Sequence, residues 1–136
     1  MVTGAEGLER LDRDECLRLL ASVPVGRLIF TMNALPMVRP VNFALVNELV
    51  LVRTAADTTV AHKIDGAIVA FEADELDAAT YSGWSVTVTG RAALVTDPAA
   101  VARYRAVPLV PWAPGIRDQL VTIKTGLVEG QRVGQP

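Results

Sequence analysis

Arg53, Thr54, Thr58 and Thr59 fall within seven residues, directly after the apolar, β-branched run Leu49 to Val52. Arg53 brings a permanent cation and the threonines bring hydroxyls. Lys63 follows one helical turn after Thr59. A strand that ends in a turn and resumes as a helix leaves backbone N–H groups free, and the helix dipole favours negative charge there. With a guanidinium and hydroxyls alongside, the chemistry on offer is anion binding, and a phosphate is the natural guest. The same residues also read as a buried strand ending in a solvated turn, with Arg53 in a surface ion pair. A short pattern without its context does not separate the two. Asp57 weighs against phosphate, because a carboxylate at the helix cap competes with it.

The remaining reactive side chains suggest little chemistry. His62 is the sole histidine and has no cluster of partner ligands around it, so it reads as solvent-facing or structural. Cys16, the sole cysteine, sits among Leu17, Leu19 and Leu20 and reads as a small core residue. Trp84 suits either a pocket wall or the filling of a core. Trp112, between Pro111 and Pro114, suits a rigid packing corner or an interface plug. Asn42 can present its amide to a ligand edge or pair with backbone. The acidic run Glu72, Asp74, Glu75 and Asp77 reads as a solvated turn. No nucleophile–base–acid set and no metal-ligand spacing is visible.

These residues need a scaffold, and the pattern around them is mostly strand. Asp12 or Asp14 caps a first helix with Leu17, Leu19 and Leu20 on one face, ended by Pro24. Strands are expected at Gly26–Met32, Met37–Leu45, Leu49–Arg53, Ala67–Glu72, Trp84–Val95 and Leu120–Lys124. Pro40 places its strand at an edge or bulge, and Gly90 marks a bulge or bend. Short helices are expected from Thr58 to Asp65, stopped by Gly66, and from Asp97-Pro98 to Tyr104. Leu127-Val128 is assigned to the tail. About six strands joined by short connections favour an antiparallel sheet closed into a barrel. Residues 1–136 read as one domain, with 1–10 and 134–136 as loose termini.

Composition bounds the function. Of 136 residues, 51% are hydrophobic and 21% charged, which describes a globular chain. A net charge of −2 and the lack of any basic block argue against nucleic acid as a partner. No apolar run approaches the ~18 residues of a membrane span, and Met1 to Arg10 carries no signal-peptide core. With one free cysteine, the expected setting is the reducing cytoplasm. A mean hydropathy of +0.33 without a span leaves surplus apolar surface for a subunit interface.

Taken in order, several segments resemble the pyridoxamine 5′-phosphate oxidase-like, FMN-binding split-barrel family, in its small actinobacterial form. They are Val25-Gly26-Arg27-Leu28, Arg39-Pro40-Val41-Asn42-Phe43, Val52-Arg53-Thr54, Val69-Ala70-Phe71-Glu72-Ala73-Asp74, Gly83-Trp84-Ser85-Val86 with Gly90-Arg91-Ala92, and Pro111-Trp112-Ala113-Pro114-Gly115. The resemblance runs from about Leu11 to Val133. It implies a mainly β fold with short helices, a six-stranded antiparallel Greek-key split barrel, and a homodimer with FMN in a groove between protomers. It also implies that Arg53, Thr54, Thr58, Thr59 and Lys63 surround the phosphate. Backbone from Pro40 through Val41, Asn42 and Phe43 then contacts the flavin, and the strand of Trp84 and Ser85 borders it.

The phosphate turn departs from the family pattern. Many relatives read Gly-Ser/Thr-Lys where this chain has Asp57-Thr58-Thr59. One cation is lost and one anion gained, a change worth about one to two orders of magnitude in phosphate affinity. Lys63, at i+4 from Thr59, is placed to reach back.

The expectation is an FMN-dependent oxidoreductase acting on a small organic substrate. A form using the deazaflavin F420 is a second reading, since related split barrels bind it. A non-catalytic flavin-binding or storage module, and a cofactor-free barrel acting through its dimer surface, are the others. Pyridoxamine 5′-phosphate oxidase activity itself is less expected, because the chain lacks a second basic cluster for a substrate phosphate.

Overall fold

The computed structural model describes residues 8–55, 58–109 and 118–134. In chain order its elements are β1 (Glu9–Leu11), α1 (Arg13–Leu20), β2 (Val25–Met32), β3 (Leu35–Val46), β4 (Leu49–Ala55), α2 (Thr58–Ile64), β5 (Ile68–Asp77), β6 (Ser82–Leu94), α3 (Pro98–Arg105), β7 (Asp118–Lys124) and β8 (Leu127–Val133). The strand pairings are antiparallel. Strands β2 to β7 close into a ring in the order β6-β5-β2-β3-β4-β7, with β7 returning to β6. Within it β2, β3 and β4 form a meander and β5 comes back beside β2, which makes a Greek key. The six-stranded antiparallel barrel expected from the sequence is the fold.

Two-residue turns set the meander. Asn33 and Ala34 have φ of 53° and 63°, and Asn47 and Glu48 have 49° and 62°. Left-handed backbone at both central positions suits the right-handed twist of the flanking strands. The tight first turn starts β3 at Leu35, two residues earlier than the sequence suggests. Pro40 lies where β3 pairs with β2 but not with β4, whose pairing begins at Asn42. A residue without an N–H costs no ladder bond on that open edge.

Two strands lie outside the ring. β8 pairs with the first half of β6, from Thr89↔Leu127 to Gly83↔Val133, and carries β1 on its far side. This corrects two expectations. Leu127-Val128 opens a seven-residue strand rather than a tail. Glu9 and Arg10, assigned to a loose terminus, pair with Arg132 and Gln131. Neither strand has an apolar run of its own; each is a strand because a neighbour offers an open edge.

Gly90 marks where β6 changes partner, from β8 to β7, which it joins at Ala92↔Ile123. A Cβ on Gly90 would overlap the Lys124 carbonyl, so only glycine lets the β7–β8 turn lie against β6 here.

The core fills the ring and its ends. Phe43 and Phe71 meet edge to face at 4.6 Å between centroids. The α1 helix is capped by Asp12, whose side chain accepts from the Glu15 N–H at 2.8 Å, and buries Cys16, Leu19 and Leu20. The α2 helix buries Val60, Ala61 and Ile64. The α3 helix, capped by Asp97, buries none of its residues.

Candidate functional site

Alternation along β4 turns Val50 and Val52 into the core and leaves Leu51 and Arg53 on the outer face. Arg53 stands opposite Asn42 on β3 and Leu120 on β7. Both Arg53 and Asn42 are half-buried and engaged with other groups of the protein. Two candidates 11 residues apart in sequence are therefore direct cross-strand neighbours.

Thr54, one residue on, points to the opposite face. Its hydroxyl oxygen is buried without a hydrogen-bond partner among the described residues. A buried hydroxyl left unpaired costs about 1–3 kcal/mol, so it is poised to take one. A single group served by both Arg53 and Thr54 must sit off the tip of β4, since the two side chains leave from opposite faces.

The α2 helix follows that tip. Thr58 is its first residue, and Thr59, His62 and Lys63 are exposed. Thr59 and Lys63 share one side of the helix by their i, i+4 spacing. Asp57 and the Pro111 to Gly115 segment lie outside the described residues.

The other candidates divide between the two faces of the sheet. Pro40 is exposed on the outer face opposite Arg27, while Val41 packs against the core. The Phe43 side chain lies within the core, so a ligand along β3 meets it through backbone alone. Trp84 is 4% exposed and fills the barrel, whereas Ser85 faces outward between Asp74 and Gln131.

One acidic cluster departs from the turn expected of its sequence. Glu72 and Asp74 do not lie in a solvated turn, because β5 runs on to Asp77 and holds both half-buried on the outer face. The Arg27 guanidinium on β2 reaches Glu72 Oε1 and Asp74 Oδ1, each at 3.2 Å. Burial, then the hydrogen bond and charge of Asp74, push the Glu72 carboxyl up to about 7 against the pull of Arg27. The signal was present in the sequence: Val69, Phe71 and Ala73 keep a period of two through Glu72 and Asp74.

Among the described residues no group of three or more His, Cys, Asp or Glu side chains could hold a metal ion. No described helix is long and apolar enough to cross a membrane.

A closed Greek-key ring of six strands, split where β3 parts from β4 and extended by a β8–β1 flap, defines a split barrel. The chain belongs to the pyridoxamine 5′-phosphate oxidase family, whose model matches residues 12–132. It is 46% identical over 134 residues to the uncharacterized protein Rv0080 of Mycobacterium tuberculosis, covering 95% of this chain and 88% of that one. Among solved structures, it resembles the FAD binding protein of Mycobacterium smegmatis at 34% identity and a TM-score of 0.80, covering 94% of this chain and 100% of that one. It also resembles the conserved protein DIP1874 of Corynebacterium diphtheriae, at 30% identity and a TM-score of 0.79, covering 96% of this chain and 100% of that one.

Proposed function

We propose that this protein binds a flavin nucleotide by its phosphate at the tip of β4 and acts as a flavin-dependent oxidoreductase on a small organic substrate. The observation that carries the reading is the pairing of a strand-end arginine with a buried, unpartnered hydroxyl, Arg53 and Thr54. A phosphate lying off the strand tip can accept from both, through different oxygens. Likeness to a relative that binds FAD supports a flavin. FMN is the form we favour, because its terminal phosphate carries close to two negative charges for Arg53 to meet. When bound, the isoalloxazine supplies hydride or electron transfer. The protein's own task is to anchor the phosphate through Arg53 and Thr54 and to line the ring with β3 backbone near Asn42.

The test is a titration of the purified protein with FMN, FAD and F420, followed by absorbance or fluorescence. Arg53→Ala should weaken FMN binding by roughly 1.5–3 kcal/mol and leave the fold intact. A folded mutant with unchanged affinity removes Arg53 from the site. Tighter binding of F420 than of either flavin assigns the deazaflavin instead. Bleaching of the bound flavin by a nicotinamide donor, with turnover, supports the enzyme. Stable colour without turnover supports a storage module.

We further propose a homodimer formed through the outer face of the barrel. That face carries exposed Val38, Ile68 and Leu127 beside half-buried Ile29 and Ala70, an apolar stripe unusual for a lone small protein. The register aligns Val38, Ile29, Ala70, Thr89 and Leu127 across five strands. Sedimentation at micromolar concentration should give the dimer mass; a monomer rejects it. The free Cys16 agrees with the cytoplasmic setting we infer.

A further inference from the structure

We propose that the cleft between β1, β6 and β8 is a binding site for a small organic carboxylate with an apolar body. It is a cavity of about 530 Å³ on the outer side of the β8–β1 flap, within the size range of ligand pockets. Arg10, Gln131 and Ser85 stand in one cross-strand row, Arg10 opposite Gln131 and Gln131 opposite Ser85. Thr87 lies two pairs further along on the same face, opposite Glu129, and all four line the cavity. None of these four side chains has a hydrogen-bond partner among the described residues, so a guanidinium, an amide and two hydroxyls converge unspent. Leu8, two residues before Arg10, lines the same cavity and supplies apolar surface for the body of the ligand.

Charge selects the class of ligand. Arg10 is the cation on the cavity wall, and Glu129 lies diagonally from it on the same rim. No ion pair joins the two among the described residues, which leaves Arg10 for an incoming anion. The Glu129 carboxylate repels a second negative charge, so a monoanionic carboxylate suits the rim better than a phosphate dianion.

The site is built on a fixed element. Under β8, Glu15 of α1 holds Arg132 at 3.2 Å, and Gly130 lies so close to Cys16 that a Cβ would overlap the sulfur. It is also separate from the tip of β4. The cleft lies on the half of β6 that pairs with β8, up to Thr89, whereas β7, the neighbour of β4, joins β6 only from Ala92.

The test uses the full chain and reads binding directly, by calorimetry or NMR shifts, so it holds whether or not a flavin binds. Benzoate should bind at least tenfold more tightly than its neutral isostere benzamide, and more tightly than phenyl phosphate. Arg10→Gln, an exposed position, should lower benzoate affinity about tenfold or more and erase the preference over benzamide. Thr87→Val should weaken both benzoate and benzamide. Equal binding of benzoate and benzamide, tighter binding of phenyl phosphate, or no benzoate binding at 10-millimolar order (~10 mM) overturns the proposal. So does an Arg10→Gln variant that keeps its benzoate affinity or loses affinity for FMN instead.

Discussion

The tip of β4 and the β8–β1 flap offer opposite lessons about how a site is encoded. At the tip, Arg53, Thr54, Thr58 and Thr59 come from one stretch of chain. Their types and order already spell out anion chemistry. At the flap, Arg10, Ser85 and Gln131 are brought into one row from three distant parts of the sequence. Nothing local to any of them suggests a site. Contiguous chemistry survives in the sequence, whereas chemistry assembled by register exists only once strands have paired.

Gly90 is the junction of the two regions, since one edge of β6 meets β8 before it and β7 after it. Gly90→Ala should therefore produce the largest effect. Its new methyl overlaps the Lys124 carbonyl, and the backbone must move. Overpacking of this kind costs about 3 kcal/mol. The urea midpoint should fall with an unchanged slope. A midpoint equal to wild type would mean that β7 and β8 do not crowd β6 here.

A smaller effect sharpens the assignment at the tip. Thr59→Lys restores the cation that the family pattern places in the turn. FMN affinity should rise about tenfold, ~1.4 kcal/mol, at low salt. The gain should shrink at high salt as Coulomb attraction is screened. No gain at low salt would place the phosphate elsewhere.

The least effect is expected midway between the two regions, at the Arg27–Glu72–Asp74 cluster. The folded chain holds the Glu72 proton up to about 7, against 4.5 as the ordinary value. A carboxyl raised in this way stabilises the fold fully below about 4.5, and that contribution is lost as pH rises to about 7. Glu72→Gln should flatten the stability profile across this window, a change on the order of 1 kcal/mol because water still reaches the cluster. A profile as steep as wild type would assign the slope to another group.

Much of the architecture was legible because local rules carried it. Apolar, β-branched runs placed β2, β4 and β7, alternation placed β6, and Asn33 and Asn47 suit the left-handed backbone of the two hairpin turns. Asp97-Pro98 opened α3 as its capping chemistry requires. The reading of Glu72 and Asp74 as a turn failed for a physical reason. Charges on the outer face of a sheet look like a loop until a partner such as Arg27 is brought from 45 residues away. Trp84 and Ser85 were indistinguishable as neighbours, and only the pleat sends one into the core and the other to the surface.

By itself, then, the sequence determined a small mainly β chain, its hairpins, its helix caps and a basic, hydroxyl-rich segment after β4. These depend on residues a few positions apart, where propensity and periodicity act. Tertiary structure alone decided that Glu9–Leu11 and Leu127–Val133 are strands, that Arg53 faces Asn42, and that Arg27 grips two carboxylates. Each of those facts depends on which edge meets which, and at what register. A one-residue slip in register would turn every such side chain to the other face of the sheet.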